Sequence, residues 1–252
     1  MSRVLVISDI NLNINKVKVG LKRARELNAD TIVITGNYFS SLLGPRGTQE
    51  MIDFWEEFLG LIRDDTRIVP LLGEEDLNYL NVNFKTPGKQ EKFSRYLDNR
   101  LERNYRFVPC VAIDGVMYSH AGVATNWLRE NHIMLENELR FRMGKHGGAG
   151  LLEVGIFKLR SWVPFLDETS CFRSSVNNLI SFAPPSIKQV VGHTLFEDVS
   201  NIGKLWFANS CNENEFVFVN NGDPQILNDF GVNNGKTKQV AKSKKNNGRK
   251  VR

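Results

Sequence analysis

The chain has 252 residues, 41% of them hydrophobic, with a formal net charge of +5 and three scattered cysteines, Cys110, Cys171 and Cys211. No apolar run approaches the roughly 18 residues of a membrane span, no charged-then-apolar leader opens the sequence, and the cysteines suit neither a disulfide framework nor a close-spaced zinc site. These features exclude membrane and disulfide-rich classes and lead to the expectation of a globular protein of a reducing compartment, the cytoplasm, with no membrane partner.

Val4, Val6 and Ile7 form a β-prone run that breaks at "SDINLN", and Ile14, Val17, Leu21, Ala24 and Leu27 then recur at helical spacing. Lys16, Lys18, Lys22, Arg23 and Arg25 fill the other positions, which reads as the solvent side of a surface helix. "TIVIT" at Thr31–Thr35 is a β-branched run typical of a doubly buried strand and ends in "GNYFS". A second helical pattern runs from Gln49 through Met51, Ile52, Trp55, Phe58, Leu59 and Ile62, and "RIVPLL" from Arg67 is a third strand ending in a "GEED" loop. Strand, loop and helix alternate, so the strands should be parallel, with helical crossovers and their C-terminal loops along one edge. Asp9, Asn37 and Glu74 are therefore expected to converge.

Farther along, short strands and turns take over: "RFVPCVAI", the turn Asp114-Gly115, "VMYSHAG", "QVVGHT", "KLWFANS" and "EFVFVNNGD". They predict a second sheet, mixed or antiparallel. Two of the four histidines, His120 and His193, end strands in this half. A histidine at a strand end is commonly a hydrogen-bonded structural residue, but beside carboxylate and amide loops the two suggest a metal site. Trp55, Trp127, Trp162 and Trp206 read as core anchors, and in "FANSCNENEF" at 207–216, which is given no catalytic role, the Asn and Glu alternation from Asn212 to Glu215 fits a solvated turn between strands. The Gly147, Gly148 and Gly150 cluster lacks the ending of a phosphate loop, and His146 beside it faces solvent.

Residues 233–252 carry eight lysines and arginines and no acid, leaving 25 basic against 28 acidic side chains in the rest of the chain. The body is mildly acidic. With so few apolar groups the tail at 231–252 is expected to be disordered when free. It reads either as a solubilising tail or as an electrostatic arm for RNA, DNA or a nucleoprotein assembly, held by Lys236, Lys238, Lys242, Lys244, Lys245, Arg249, Lys250 and Arg252. No aromatic side chain is interleaved, so such binding would be salt-sensitive and sequence-tolerant.

In order, "SDINLN", "TGNYFS", "LLGEED", "YSHAG" and "VVGHT" resemble the metal-binding motifs of the calcineurin-like metallophosphoesterases, in particular their bacterial and phage serine/threonine-phosphatase-like branch. The resemblance covers about residues 3–220. It implies an α/β fold, an αββα sandwich of two mixed sheets flanked by helices, as one domain over 1–230 with a variable insertion at about 126–185 that could meet a protein partner. It also implies one or two divalent ions (manganese, iron or zinc) and a bridging hydroxide that attacks phosphorus.

The motifs depart from the family pattern. Its Asp-x-His becomes Asp9, Ile10, Asn11, its bridging aspartate becomes Asn37, its phosphate-gripping arginine is replaced at Ser40–Ser41, and its Asn-His pair becomes Glu74 and Glu75. Asp9, His120 and His193 alone match the ligands in kind, with Asn37 and Glu74 as weak ligand positions, Asn11 a lost one, and Glu75 and Asp76 vestiges of the acid-base position. Two dications at 4 Å repel by about 16 kcal/mol at an effective dielectric near 20, and a neutral Asn37 offsets little of that. The expectation is a catalytically degenerate scaffold with no cofactor, acting by binding. The alternative is an active, atypical phosphoesterase that holds one ion through Glu74, His120 and the Asn37 oxygen, with Asp9 and His193 reaching toward a second.

Overall fold

The computed structural model describes residues 2–39, 47–80, 89–97, 107–130, 167–212, 214–228 and 231–233. The Ser40–Ser41 pair, most of the insertion with its glycine cluster, His146 and Trp162, and every tail cation named above lie outside the described residues.

β1 (Arg3–Ile7), β2 (Thr31–Ile34) and β3 (Ile68–Pro70) are parallel neighbours, joined through α1 (Ile14–Glu26) and α2 (Thr48–Asp64). β1 alternates as a two-faced strand must. Leu5 and Ile7 join the cluster that holds Val17 and Leu21 of α1 and Trp55 and Phe58 of α2, whereas Val4 and Val6 join a valine-rich cluster with Val33, Val111, Val190 and Val217 between the sheets. Helices thus cover one face of the first sheet and the second sheet covers the other.

The second sheet has the order β4 (Cys110–Ile113), β5 (Val116–Ser119), β6 (Lys188–Val191), β8 (Leu205–Phe207), β7 (Ser200–Ile202). It is mixed: β5, β6 and β8 run parallel, and the β4–β5 and β7–β8 pairs are antiparallel. α4 (Thr125–Glu130) and α5 (Val176–Phe182) flank it, with Leu179 of α5 packed in a cluster with Val191, Leu205 and Phe207. The first sheet is completed by β9 (Phe216–Asn220), β10 (Asp223–Asn228) and β11 (Gly231–Asn233), added antiparallel beside β1.

Three features differ from the sequence reading. "EFVFVNNGD" leaves the second half of the chain to become an interior strand of the first sheet, because Phe216, Val217, Phe218 and Val219 are apolar on both faces and need cover on both. "GEED" is the first turn of a short helix, α3 (Glu74–Leu80), and not open loop. Lys16 does not lie on the solvent side of α1: it is 8% exposed, in one row with the buried Gly20 and Ala24, and its Nζ lies 3.5 Å from the Asp9 carbonyl.

The loop after β2 is anchored by aromatics. Tyr38 packs edge-on to Phe107 at 5.5 Å and on Phe58 at 4.7 Å, and its hydroxyl donates to the Leu71 carbonyl at 2.8 Å. Tyr118, in contrast, carries a buried hydroxyl with no hydrogen-bond partner inside the inter-sheet cluster. Tyr118→Phe removes that unsatisfied group at nearly constant volume, so its urea midpoint should rise by the equivalent of about 1 kcal/mol.

Candidate functional site

The C-terminal ends of β1, β2, β5, β6 and β8 meet at one edge of the sandwich, with the start of α3 beside them. The loops after β1 and β2 are zipped together by backbone bonds from Ile10 to Gly36, Asn11 to Asn37 and Leu12 to Tyr38. Asp9, Asn11, Leu12, Asn37 and His193 all have left-handed backbone, with φ between 32° and 59°. Gly36 sits at φ 97°, and a Cβ there would lie 2.3 Å from the Gly73 backbone nitrogen. Gly36→Ala should therefore lower the unfolding free energy by at least about 2 kcal/mol in a urea titration, strain and clash acting together.

Asp9 is the hub. Its carboxylate is 3% exposed. One oxygen, Oδ1, accepts from the His193 backbone N–H at 3.1 Å and the Thr35 hydroxyl at 3.3 Å, and the other, Oδ2, accepts from the side-chain amides of Asn209 at 3.3 Å and Asn37 at 3.4 Å. The orientation of both amides is fixed elsewhere: Asn37 Oδ1 accepts the Glu75 backbone N–H at 3.1 Å, and Asn209 Nδ2 also donates to the His193 carbonyl at 3.1 Å. Each therefore has to present its NH2 to Asp9. Burial raises the Asp9 carboxyl above its ordinary range, while the His193 N–H, the Lys16 and His193 charges and the Thr35 hydroxyl pull it back.

The histidines are wired just as closely. His120, fully buried, places Nδ1 2.8 Å from the Thr35 carbonyl, an acceptor, so that nitrogen carries the proton and Nε2 is the lone pair. His193 Nδ1 lies 3.3 Å from that Nε2 and must donate to it. The two rings thus use a nitrogen on each other, their centroids 5.1 Å apart. Burial lowers His120 to about 4, and burial with the His120 neighbour lowers His193, so both rings are neutral near pH 7.

Glu74 reaches the rim, with Oε1 3.9 Å from His193 Nδ1 and Oε2 accepting from Arg173 Nε at 3.2 Å. Glu75, raised by burial and by its neighbour Glu74, accepts from Asn78 at 2.9 Å. Asp76 turns the other way: fully buried, it accepts backbone N–H groups of Gly73 at 2.8 Å, Tyr38 at 2.8 Å and Asn37 at 2.9 Å, tying the β2 loop to the start of α3. Asn11 folds back to donate to the Asp9 carbonyl at 3.2 Å.

Asp9, Asn37, Glu74, His120 and His193 thus come together as the sequence predicts, with Glu75 at the rim, while Asp76 and Asn11 serve the loops. Asn209, Thr35, Lys16 and Arg173 were missed. Asn209 follows directly on a strand of the converging set, and Lys16 stands in a small-residue row of its helix, so both left a signal; Arg173 left none. Among the described residues no group of three or more His, Cys, Asp or Glu side chains is placed to hold a metal ion. With N–H and O–H donors on both Asp9 oxygens and the two imidazoles bonded to one another, the donor set does not fit a divalent pair.

No family model matches the sequence, and comparison with curated proteins finds no match. Solved structures do match. A cold-active protein tyrosine phosphatase shares 15% identity at a TM-score of 0.52, over 90% of this chain and 79% of that one. A phosphoesterase from E. coli gives 12% and 0.42 over 90% and 92%, and a metallophosphoesterase from Sphaerobacter thermophilus 13% and 0.38 over 86% and 83%. At such identities a likeness speaks for architecture alone. The chain accordingly has an α/β fold of two mixed sheets flanked by helices, in common with a solved phosphatase.

Proposed function

We propose that this protein is a catalytically degenerate member of the metallophosphoesterase-like fold that works by binding. The observation that carries this reading is the Asp9 carboxylate, each of whose oxygens accepts two hydrogen bonds, from backbone and hydroxyl donors on one and from two side-chain amides on the other. The replacements at Asn11, Asn37 and Glu75 point the same way: the first two turn charged or imidazole ligands into amides, and the third puts a carboxylate where the resembling enzymes place a proton-donating imidazole. Such an imidazole is commonly worth roughly 10²- to 10⁴-fold in rate.

The binding partner is assigned to a nucleic acid or nucleoprotein in the cytoplasm, engaged through the cations from Lys236 to Arg252, because a basic segment on a mildly acidic body concentrates the attraction for a polyanion in one place. The insertion at 126–185 is the corresponding candidate for a protein partner.

Two measurements test this. After incubation with manganese and desalting, mass spectrometry of the intact purified chain should find well under one equivalent of metal, and an aryl phosphate should not turn over. Stoichiometric metal with turnover that His120→Ala abolishes would establish the atypical phosphoesterase instead. RNA affinity of the full chain should exceed that of a chain ending at Val232 and fall steeply with salt; equal affinities would remove the tail from the reading.

A further inference from the structure

The layer between the sheets is apolar through its middle, where Val4, Val6, Val33, Val111, Val190 and Val217 pack. Apolar packing is non-directional and sets the spacing of the sheets without fixing how they are aligned. Direction enters at the ends. At the far end Ser2 bonds the Asp114 carboxylate at 2.6 and 2.9 Å, and Lys188 bonds the Gly222 carbonyl at 2.9 Å, all at exposed or part-exposed positions.

At the site end the crossing bonds are buried, that of the His193 N–H in part. Ser8 Oγ donates to the Ala208 carbonyl at 2.8 Å, His120 Nδ1 to the Thr35 carbonyl at 2.8 Å, and His193 N–H and the Asn209 amide meet the two oxygens of Asp9. Thr35 and Asn37 hold the same carboxylate from the first sheet. The chain at Gly192 passes so near that a Cβ there would stand 2.3 Å from Asp9 Oδ1 and 2.4 Å from Thr35 Oγ1.

We propose that Asp9 is the pin of an inter-sheet clasp: one buried carboxylate that fastens the strand ends of both sheets through donors supplied by Thr35 and Asn37 on one side and His193 and Asn209 on the other. This rests on the metal-free reading above, because the four donors take up the lone pairs with which Asp9 would hold a cation. A buried carboxylate is strongly unfavourable unless hydrogen-bonded, and four donors offset that, with Lys16 Nζ 3.5 Å from the Asp9 carbonyl adding positive charge nearby. The clasp gives a reason for Asp9 and both histidines to persist in a site without hydrolytic chemistry. Its donors act through a shared acceptor, so their removals should not add.

The test is a double-mutant cycle on the full chain in chelator, with Asp9→Asn, Asn209→Ala and the pair, read by urea unfolding followed by tryptophan fluorescence and by amide hydrogen exchange. The pair should be less destabilised than the two single changes combined, by about tenfold in the unfolding constant, and Gly192, His193 and Ala208 amides should exchange at least tenfold faster in Asn209→Ala than mid-strand amides change. If Asp9→Asn does not fold, the cycle runs between Thr35→Val and Asn209→Ala, which approach the two Asp9 oxygens from opposite sheets. Additive effects within twofold, with exchange no faster at the site end than elsewhere, would overturn the clasp. Added manganese should leave the wild-type midpoint unchanged. A raised midpoint would instead overturn the metal-free reading, and the cycle measured in chelator would still decide the clasp.

Discussion

Asp76→Ala will lose about 4 kcal/mol of unfolding free energy, enough to leave much of the population unfolded, and it will do so without touching the centre of the site. The carboxylate is fully buried and accepts backbone N–H groups of Gly73, Asn37 and Tyr38, with that of Phe39 bonded to it as well. Alanine leaves those donors buried and unpaired, at roughly 1–3 kcal/mol each before relaxation. They lie on both sides of the join between the β2 loop and α3, so that join should open first. Circular dichroism melting and a urea titration check the size of the loss. Asp76→Asn, which keeps one acceptor oxygen and turns an NH2 toward the remaining donors, should fall between wild type and alanine.

The second large effect is a loss of stability in acid that belongs to His120. Its pKa is about 4 in the folded protein, against about 6.5 for an exposed histidine, because burial disfavours the imidazolium. Between those values the unfolded chain takes up a proton that the folded one refuses. The stabilisation is therefore complete above pH 6.5 and is lost as pH falls toward 4, about 3 kcal/mol in all. Asp76 works the opposite way: burial pushes it up to about 7 against its backbone donors, so its contribution declines as pH rises from about 4 to 7. Subtracting the urea stability of His120→Asn from that of wild type at each pH cancels the Asp76 contribution and leaves the slope of the His120–His193 pair, because His193 is itself lowered by its His120 neighbour. A flat difference between pH 4.5 and 7 would show that this ring is not held neutral by burial.

Much of the fold could be read directly from the chain because its strands and helices obey simple periods. "TIVIT" and the stripe from Met51 to Ile62 have one structural solution each, and strand-helix alternation then dictates parallel order and a shared edge for the loops. β9 was harder to place, since an all-apolar strand announces that both its faces are covered without saying by which sheet. At the site, the positions of Asp9, Asn37, Glu74, His120 and His193 followed from strand ends alone. Their wiring did not. Whether an Asn side chain turns its oxygen or its NH2 toward a carboxylate depends on what its other end meets, and for Asn37 and Asn209 those partners are backbone groups of Glu75 and His193. The sequence places Asp76 beside Glu75 at a vestigial acid-base position, yet the side chain points into the molecule, a direction set by where the first turn of α3 begins.

The left-handed backbone at the site edge bears on how this surface can change with time. Asn, Asp and His tolerate positive φ better than other side chains, because a short polar group can bond locally, and β-branched residues scarcely tolerate it at all. With Asp9, Asn11, Asn37 and His193 all held in that region, the alternatives open to each are few whatever chemistry is selected for. An aspartate or histidine that ceases to be needed as a ligand finds asparagine among its easiest replacements, since the loop keeps its course. A saturation library at Asn11, Asn37 and His193 should thus keep folded variants chiefly among Asn, Asp, His and Gly, while the four donors on Asp9 narrow that position to aspartate, so that mutational drift here leaves the loops in place.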